Sequence, residues 1–526
     1  MECTKAMECT EVAWEIIKHF QDDFSTLYSC FQVNKLWSRL TIPFIWEDPF
    51  SFKQPKNYNY IEAYLCNLND DDKKKLNKYE INTNLFSYAL FNYSSFIRHL
   101  DTNKLINSIK KWDAIVNPIR QKGLVKFIYK SLIKLFVESD ANLLTLDFTY
   151  NRNYYNITIS QIILNPNFIC NIRKLYLKFD TYDTFNIDSF LKFLSLNSKS
   201  ISSINFQFID PYQNVEENLI NIINSQKNLE NISFNFDSLP LYNSLKNPDF
   251  INTLRTIIFY FIDFKNIVAL NEVFEQLNVL ESIHILCCSF LDSIFVTYPF
   301  KLRSLFVSEI IIEPIRLLLQ NSGNYLENFG LELYCLPRGE VELLDLIINH
   351  YSTNIKFLTF CEFNHDSIYK ILKLIEKVKL SLNYLTIEIS PIANSGSIIL
   401  QNLWKILPSR LEYLNLIIPI SNISDFEFFL KNLQTIFIKK LLIKCVCTVT
   451  RIPVFQRNSI LHYIKEYIMK NKRVEYLAFL EYFSDKEEYD DLISMENEEF
   501  GSYNIVIQKY HELKIDNHEF VSEMYC

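Results

Sequence analysis

Glycine is scarce in this 526-residue sequence, with six in all, at Gly123, Gly323, Gly330, Gly339, Gly396 and Gly501. They are too scattered for G-x-x-x-x-G-K or G-x-G-x-x-G, which excludes a glycine-rich phosphate cradle. Neither H-E-x-x-H nor G-x-S-x-G occurs, and the eight histidines stand apart, so no catalytic motif is announced. The chain is expected not to be an enzyme. Its twelve cysteines contain no C-x-x-C pair, whereas a zinc site needs Cys or His paired at ligand spacing. No metal and no cofactor are expected, and the cysteines read as buried free thiols. No apolar run reaches the length of a membrane span, and the first residues do not form a charged-then-apolar leader. A cytoplasmic or nuclear location, away from membranes, is the expectation.

A surplus of positive charge is also lacking. The net charge is -8. From Glu481 to Cys526 there are 13 Asp and Glu against 3 Lys, a balance of -10, which leaves about +2 for everything before it. Without a basic stripe there is no footprint for a phosphate backbone, so nucleic acid is not an expected partner. What the chain does have is apolar material, 49% of all residues, rich in Phe and Tyr. That suffices for a long packed interior.

The apolar residues are periodic. In Asn171 to Phe179 (NIRKLYLKF), Ile172, Leu175, Leu177 and Phe179 follow L-x-x-L-x-L, and the last three alternate as a half-buried strand does. The same core starts at Leu143, Ile201, Leu229, Leu254, Leu280, Leu302, Leu326, Ile355, Leu382, Leu411, Ile438 and Val474. Successive starts lie 29, 29, 28, 25, 26, 22, 24, 29, 27, 29, 27 and 36 residues apart. Between them the spacing becomes helical, as in Phe190, Leu191, Phe193 and Leu194, in Ile267, Leu270, Val273, Phe274 and Leu277, and in Ile368, Ile371, Leu372 and Ile375. Ser424-Asp-Phe-Glu427 reads as a capping box opening one helix.

On these residues the chain resembles degenerate leucine-rich repeats, whose period is 20 to 29 residues. The resemblance implies an α/β solenoid with parallel strands on a concave face and helices outside, since no single unit buries its own apolar face. The ninth position, usually Asn or Cys in such repeats, matches at Asn151 and Cys288, with Asp237 and Ser390 as polar substitutes. The spacing tightens at Leu302 and stretches at Val474, where the solenoid is either smooth or broken.

Ahead of the repeats, Glu11 to Phe50 carries Glu11-Val12, Glu15-Ile16-Ile17, the series Ser25, Leu27, Ser29, Cys30, then Val33-Asn34, Leu36-Trp37, Leu40, Pro43 and Trp46. This resembles an F-box, the small all-helical module that docks on a Skp-type adaptor in cullin-RING ubiquitin ligases. Val12, Ile16, Ile17 and Phe20 fall on one helical stripe, Leu27, Cys30 and Phe31 on a second, and Val33, Leu36, Trp37 and Leu40 on a third. So short a segment cannot hide all of that surface internally. Either a partner or the first repeat covers it, or both do. By the resemblance, Val12, Ile16, Ile17, Leu27, Cys30, Val33, Leu36 and Trp37 are the adaptor-binding residues. Where F-boxes open with Leu-Pro, this chain has Glu8-Cys9.

The expected organisation is an F-box over residues 8–52, a helical connector over 53–142, repeats over 143–480 and an acidic tail or cap over 481–526. In the connector, Asn69 to Lys78 (NDDDKKKLNK) reads as an exposed loop, and Leu105 to Trp112 and Leu124 to Phe136 as helices. In the tail, EYDDLISMENEEF reads as solvated, and YNIVIQKYHELKI as one more strand or a cover for the last repeat. Strand alternation points positions 4 and 6 of each repeat inward and 3, 5 and 7 to the open face. Phe357, Tyr384, Tyr413, Lys440 and Tyr476 form one expected column, and Ile258, Tyr260, His284, Leu286 and Phe306 a second cluster. Tyr260, His284, Phe306, Phe357, Tyr384, Tyr413 and Lys440 are the candidate substrate contacts, aromatic anchors being common in interfaces. The F-box resemblance implies a non-catalytic receptor that presents an unidentified protein substrate to a ligase. A ligase-independent scaffold or inhibitor with a decayed F-box stays open beside it.

Overall fold

The computed structural model describes residues 2–21, 23–51, 59–79, 81, 91–117, 122–179, 187–208, 216–235, 244–266, 270–291, 301–308, 311–322, 324–332, 339–363, 365–389, 395–419, 423–447, 460, 462–471, 473–483, 489–491 and 505–525. The chain forms two compact units, residues 1–254 and 255–526. The boundary lies inside the repeat region.

The first unit opens with helices α1 (Glu2–Lys18), α2 (Phe24–Phe31) and α3 (Lys35–Glu47). Two short polar residues set the breaks by satisfying amides that a first turn leaves free. Asp23 accepts from Thr26 N at 3.2 Å to start α2, and Asn34 accepts from Leu36 N at 2.9 Å and Trp37 N at 3.0 Å to start α3. Next come α4 (Asn59–Cys66) and α5 (Asp70–Asn77). Asn69 to Lys78 is therefore helical, not the loop its polarity suggests. Asn69 caps it, Asp70, Asp71 and Asp72 lie at the positive end of its dipole and Lys74 and Lys75 at the negative end, while Leu76 is buried.

The three-residue strand β1 (His99–Asp101) runs into α6 (Thr102–Val116), whose first amides Asp101 caps. Trp112 of α6 donates from Nε1 to Glu62 of α4 at 3.1 Å. Gly123, at φ +98°, takes a left-handed conformation that most residues avoid and opens α7 (Leu124–Glu138). Strand and helix then alternate: β2 (Thr145–Thr149), α8 (Tyr155–Ile162), β3 (Lys174–Phe179), α9 (Ile187–Asn197), β4 (Ser203–Phe208), α10 (Glu216–Asn224) and β5 (Asn231–Asn235). β1 to β5 pair in parallel in chain order. Leu146, Leu175, Ile204 and Ile232 share one register row, and Phe148, Leu177, Phe206 and Phe234 another. All are buried, each contributing roughly 1.5–3 kcal/mol of apolar transfer. This face meets the helices, with Phe148 4.9 Å from Phe190 of α9.

The second unit repeats the scheme with β6 (Thr256–Tyr260), α11 (Leu270–Gln276), β7 (Ser282–Leu286), β8 (Leu302–Val307), α12 (Ile312–Ser322), β9 (Asn328–Glu332), α13 (Glu340–Leu346), β10 (Phe357–Cys361), α14 (Ile368–Lys377), β11 (Tyr384–Glu388), α15 (Ser395–Ile406), β12 (Arg410–Ile418), α16 (Ile423–Leu433), β13 (Phe437–Cys447) and β14 (Val474–Phe483). β6 to β14 are parallel neighbours in chain order. Each unit is thus an α/β, solenoid-like stack. Every L-x-x-L-x-L start is followed by, or lies in, a strand. β15 (Tyr489–Asp491) departs from the pattern by pairing antiparallel to β14, so part of the acidic tail is a strand. β16 (Val506–Ile507) adds to β14 in parallel.

Near Leu302 the ladder is bulged but unbroken. Ile283 pairs Leu302 and His284 pairs Ser304, leaving Arg303 as the extra residue. Beyond the bulge the pairing offset is 20 residues, from His284 to Ser304, against 22 between the two repeat starts. A slip of two preserves side-chain alternation. It carries Ile258 and His284 of the second cluster into line with the first column as one row, Ile258, His284, Ser304, Asn328, Phe357, Tyr384, Tyr413, Lys440 and Tyr476, while Tyr260, Leu286 and Phe306 fall in the row two residues on.

Among the described residues the turns are closed by varied polar groups. Cys288 donates its thiol to Leu286 O at 3.4 Å and Phe259 O at 3.5 Å, and Asn151 accepts from Asn153 N at 3.1 Å. Buried Gln226 accepts from Ile201 N at 3.0 Å and donates to Ser198 O at 2.8 Å. Asp237, Ser390 and Ile267 lie outside the described residues. α16 already includes Ser424, and Glu427 accepts from Tyr467 Oη at 3.0 Å. Cys30, Cys287, Cys288 and Cys445 are buried free thiols and Cys66, Cys170 and Cys361 half-buried ones, and no described helix is long and apolar enough to cross a membrane.

Candidate protein-binding surfaces

Two surfaces carry the expected contacts. In the helices of the first unit the eight adaptor-binding candidates divide by burial. Ile17 and Leu27 are fully buried and Cys30 nearly so. They hold the helices together and are unavailable to a partner in the folded chain, which corrects the expectation for those three. Val12 is 60% exposed, Ile16 41%, Val33 58% and Leu36 41%, while Trp37 is half-buried. The same helices expose Trp14, whose ring lies 4.7 Å from Phe44, and Tyr28, 5.9 Å from Phe24. Beside them is a mostly apolar cavity of about 270 Å³ lined by Phe24, Tyr28, Phe31, Trp46, Tyr60 and Tyr93 among others. The two caps stiffen this module, and the Asp23 carboxyl is held below its usual range by the hydrogen bonds from Thr26.

The second surface is the face of β6 to β14 turned away from the helices. Phe259, on the opposite face, packs on Phe274 of α11 at 6.5 Å. The expected column is brought together here, with Phe357 and Tyr384 stacked at 5.8 Å and Tyr384 and Tyr413 at 6.4 Å. It is not open. Residues 510–525 lie on it, as a short helix (Tyr510–Leu513) and a final helix (Asn517–Tyr525) that follow β16. His284, Phe306, Phe357 and Tyr413 are buried, and Tyr260, Tyr384 and Lys440 are half-buried.

The covering contacts are specific. Phe520 reaches Phe357 at 4.7 Å and Tyr384 at 4.8 Å. His518 stacks on Tyr260 at 4.5 Å, and Tyr525 lies 4.3 Å from His284. Val521 is fully buried in the cluster of Ile258, Leu286, Phe306 and Phe357. Polar groups are paired across the same contact. Tyr525 Oη donates to Glu327 at 3.0 Å and accepts from Asn328 Nδ2 at 3.2 Å. Tyr510 Oη donates to Asn415 Oδ1 at 2.8 Å, and Ile515 N donates to Tyr413 Oη at 3.2 Å. Asn517 donates to Glu332, which also accepts from the Cys287 thiol at 2.8 Å. The bulge residue Arg303 pairs with Glu327 at 3.0 Å and sets its guanidinium 5.7 Å from the Tyr525 ring.

His284 and Ser304 resemble half of a catalytic pair, at 2.7 Å. The other ring nitrogen meets Ser282 at 3.3 Å, not a carboxylate. Burial, with Arg303 nearby, pushes the imidazole down to about 3. A buried ring so reluctant to take a proton is a poor general base. Burial also pushes Tyr413 and Tyr525 up to about 12 and raises the Cys287 thiol, so these groups stay protonated. No group of three or more metal-ligating side chains occurs among the described residues.

Sequence reasoning placed Tyr510 and Leu513 in a stretch read as one more strand or a cover, and missed the covering residues Asn517, His518, Phe520, Val521 and Tyr525. Their signal was Phe520, Val521 and Tyr525 on one side of a helical turn, masked by the acidic residues around them. No protein-family model and no curated protein matches the sequence.

Proposed function

We propose that the chain is the substrate-recognition subunit of a Skp-cullin-F-box ubiquitin ligase, its helical start binding a Skp-type adaptor and its repeats binding a protein substrate. The observation that carries this is the division within α1 to α3. Ile17, Leu27 and Cys30 lock the module, while Val12, Ile16, Val33 and Leu36 stay exposed as an apolar surface that water alone does not favour. The chain itself performs no chemistry. Holding a substrate lysine near the charged enzyme raises its effective concentration.

A ligase-independent scaffold or inhibitor is the second reading. One observation favours it: α1 runs from Glu2 to Lys18 straight through Glu8-Cys9, where F-boxes have a Leu-Pro opening. Co-purification of the full chain with a Skp-type adaptor separates the two. The Val12→Asp, Val33→Asp double variant is the control, because both side chains are exposed and the fold tolerates the change; Leu27→Asp would instead test folding. Capture by the native chain and loss in the folded variant supports the ligase subunit. No capture by a soluble, folded native chain leaves the scaffold.

A further inference from the structure

The segment lying on the second unit's open face is bound as a ligand is bound. Its helices, Tyr510–Leu513 and Asn517–Tyr525, are too short to persist alone, so the face beneath holds them in shape. That contact combines aromatic anchors with paired hydrogen bonds, the makeup of an interface between proteins. A core built for permanent burial has less need of Asn328, Asn415 and Glu327 under it.

The fit is incomplete at two places. Asn415 is 1% exposed, and while its Oδ1 accepts from Tyr510, its Nδ2 is buried with no partner. A buried donor left unmade carries the full cost of its lost hydration. The second place is Glu332. Burial raises its carboxyl first, and Asp516 of the covering segment and Glu388 of β11 raise it further, against the hydrogen bond from the Cys287 thiol and the charge of Lys514. The segment thus brings a carboxylate as well as Lys514 toward a face that already holds two carboxylates, Glu332 and Glu388.

We propose that this face is a peptide groove, and that residues 510–525 occupy it as a displaceable internal ligand. Its partner is a protein segment with two aromatic anchors spaced as Phe520 and Tyr525 and a basic side chain where this chain has Asp516. The anchors take the positions between Phe357 and Tyr384 and over His284. The basic group pairs with Glu332 and Glu388, and an acceptor on the partner satisfies Asn415. The proposal rests on the receptor reading, but its test involves no adaptor, so failed adaptor capture and failed groove binding are separate results.

The test uses the full chain and a fluorescent peptide spanning residues 505–525, in its own sequence and with Asp516→Lys, read by anisotropy. The Phe520→Ala, Tyr525→Ala variant weakens the internal segment. Expected are weak binding of both peptides by the native chain and binding about tenfold tighter or more by the variant. The lysine peptide is also expected to be preferred, a preference lost on Glu332→Gln. A folded variant that binds neither peptide, or both equally, overturns the proposal, as does a native dimer that exchanges the segment between copies. Should the variant fail to fold, hydrogen exchange on the native chain decides. Exchange of residues 517–525 well ahead of β10 to β12 supports displacement, and exchange only together with those strands overturns it.

Discussion

The helices at the start of the chain and the aromatic row of the second unit are both rich in large apolar side chains, yet Val33 is 58% exposed and Phe357 1%. The difference is not in composition. It lies in whether a later segment of the same chain returns to cover the surface, as residues 510–525 do for the row. Residue type and strand position therefore mark a surface able to bind, while occupancy depends on what else the chain brings to it.

The contrast is sharpest in stability. Phe357→Ala empties a site packed by Phe306, Tyr384 and Phe520 and is expected to cost about 3–5 kcal/mol. Val33→Ala, on an exposed face, is expected to change stability by less than about 0.5 kcal/mol. Urea unfolding of the full chain followed by circular dichroism compares them, and similar midpoint shifts would erase the distinction. A smaller effect comes from Gly330, which lies in register between Phe306 and Thr359. A Cβ there would run into both side chains, so Gly330→Ala is expected to cost about 1–3 kcal/mol by overpacking. Destabilisation near zero would mean that the Phe306 ring moves aside freely.

The finest test is acidification. His284 is held neutral by burial, with Arg303 and Tyr525 the charged and titratable groups facing it. Its contribution is fully present above the unfolded value of about 6.5 and is lost as pH falls toward the folded value, by up to about 1.4 kcal/mol per pH unit. Glu332 acts in the opposite sense. Its raised carboxyl contributes stability below the unfolded value, which is lost as pH rises through the folded one. Between pH 7 and 5, His284→Gln is expected to lose less stability than the native chain and Glu332→Gln more. The reverse order would show that the groove is not closed over these groups.

Much of the architecture was legible because its cause is local. L-x-x-L-x-L places Leu175 and Leu177 on one side of a strand wherever the strand lies, and helical spacing at Ile368, Ile371, Leu372 and Ile375 does the same for α14. What escaped depends on partners distant in sequence or on end effects. β1 has three residues and exists through its pairing with β2. α5 hides one leucine under a charged surface and is made by its cap and its dipole. Phe520 lies between Phe357 and Tyr384, more than a hundred residues away, and nothing near it announces them. At the candidate sites, the two aromatic clusters and a covering role for the stretch holding Tyr510 and Leu513 were readable, while the anchors Phe520 and Tyr525 and the burial of Ile17, Leu27 and Cys30 were not.

The slip at Arg303 sets a rule of parity. A pairing shift of one residue between β7 and β8 would put Leu305 opposite His284 and turn Phe306 toward the helices, breaking both the polar ladder to Asn328 and the aromatic row beyond it. A shift of two leaves every side chain on its own side. In such an architecture repeat length is a loose variable, odd or even alike, and the parity of pairing within the strands is a tight one, so the chain can drift far from a uniform period while each strand still shows its neighbour the correct face.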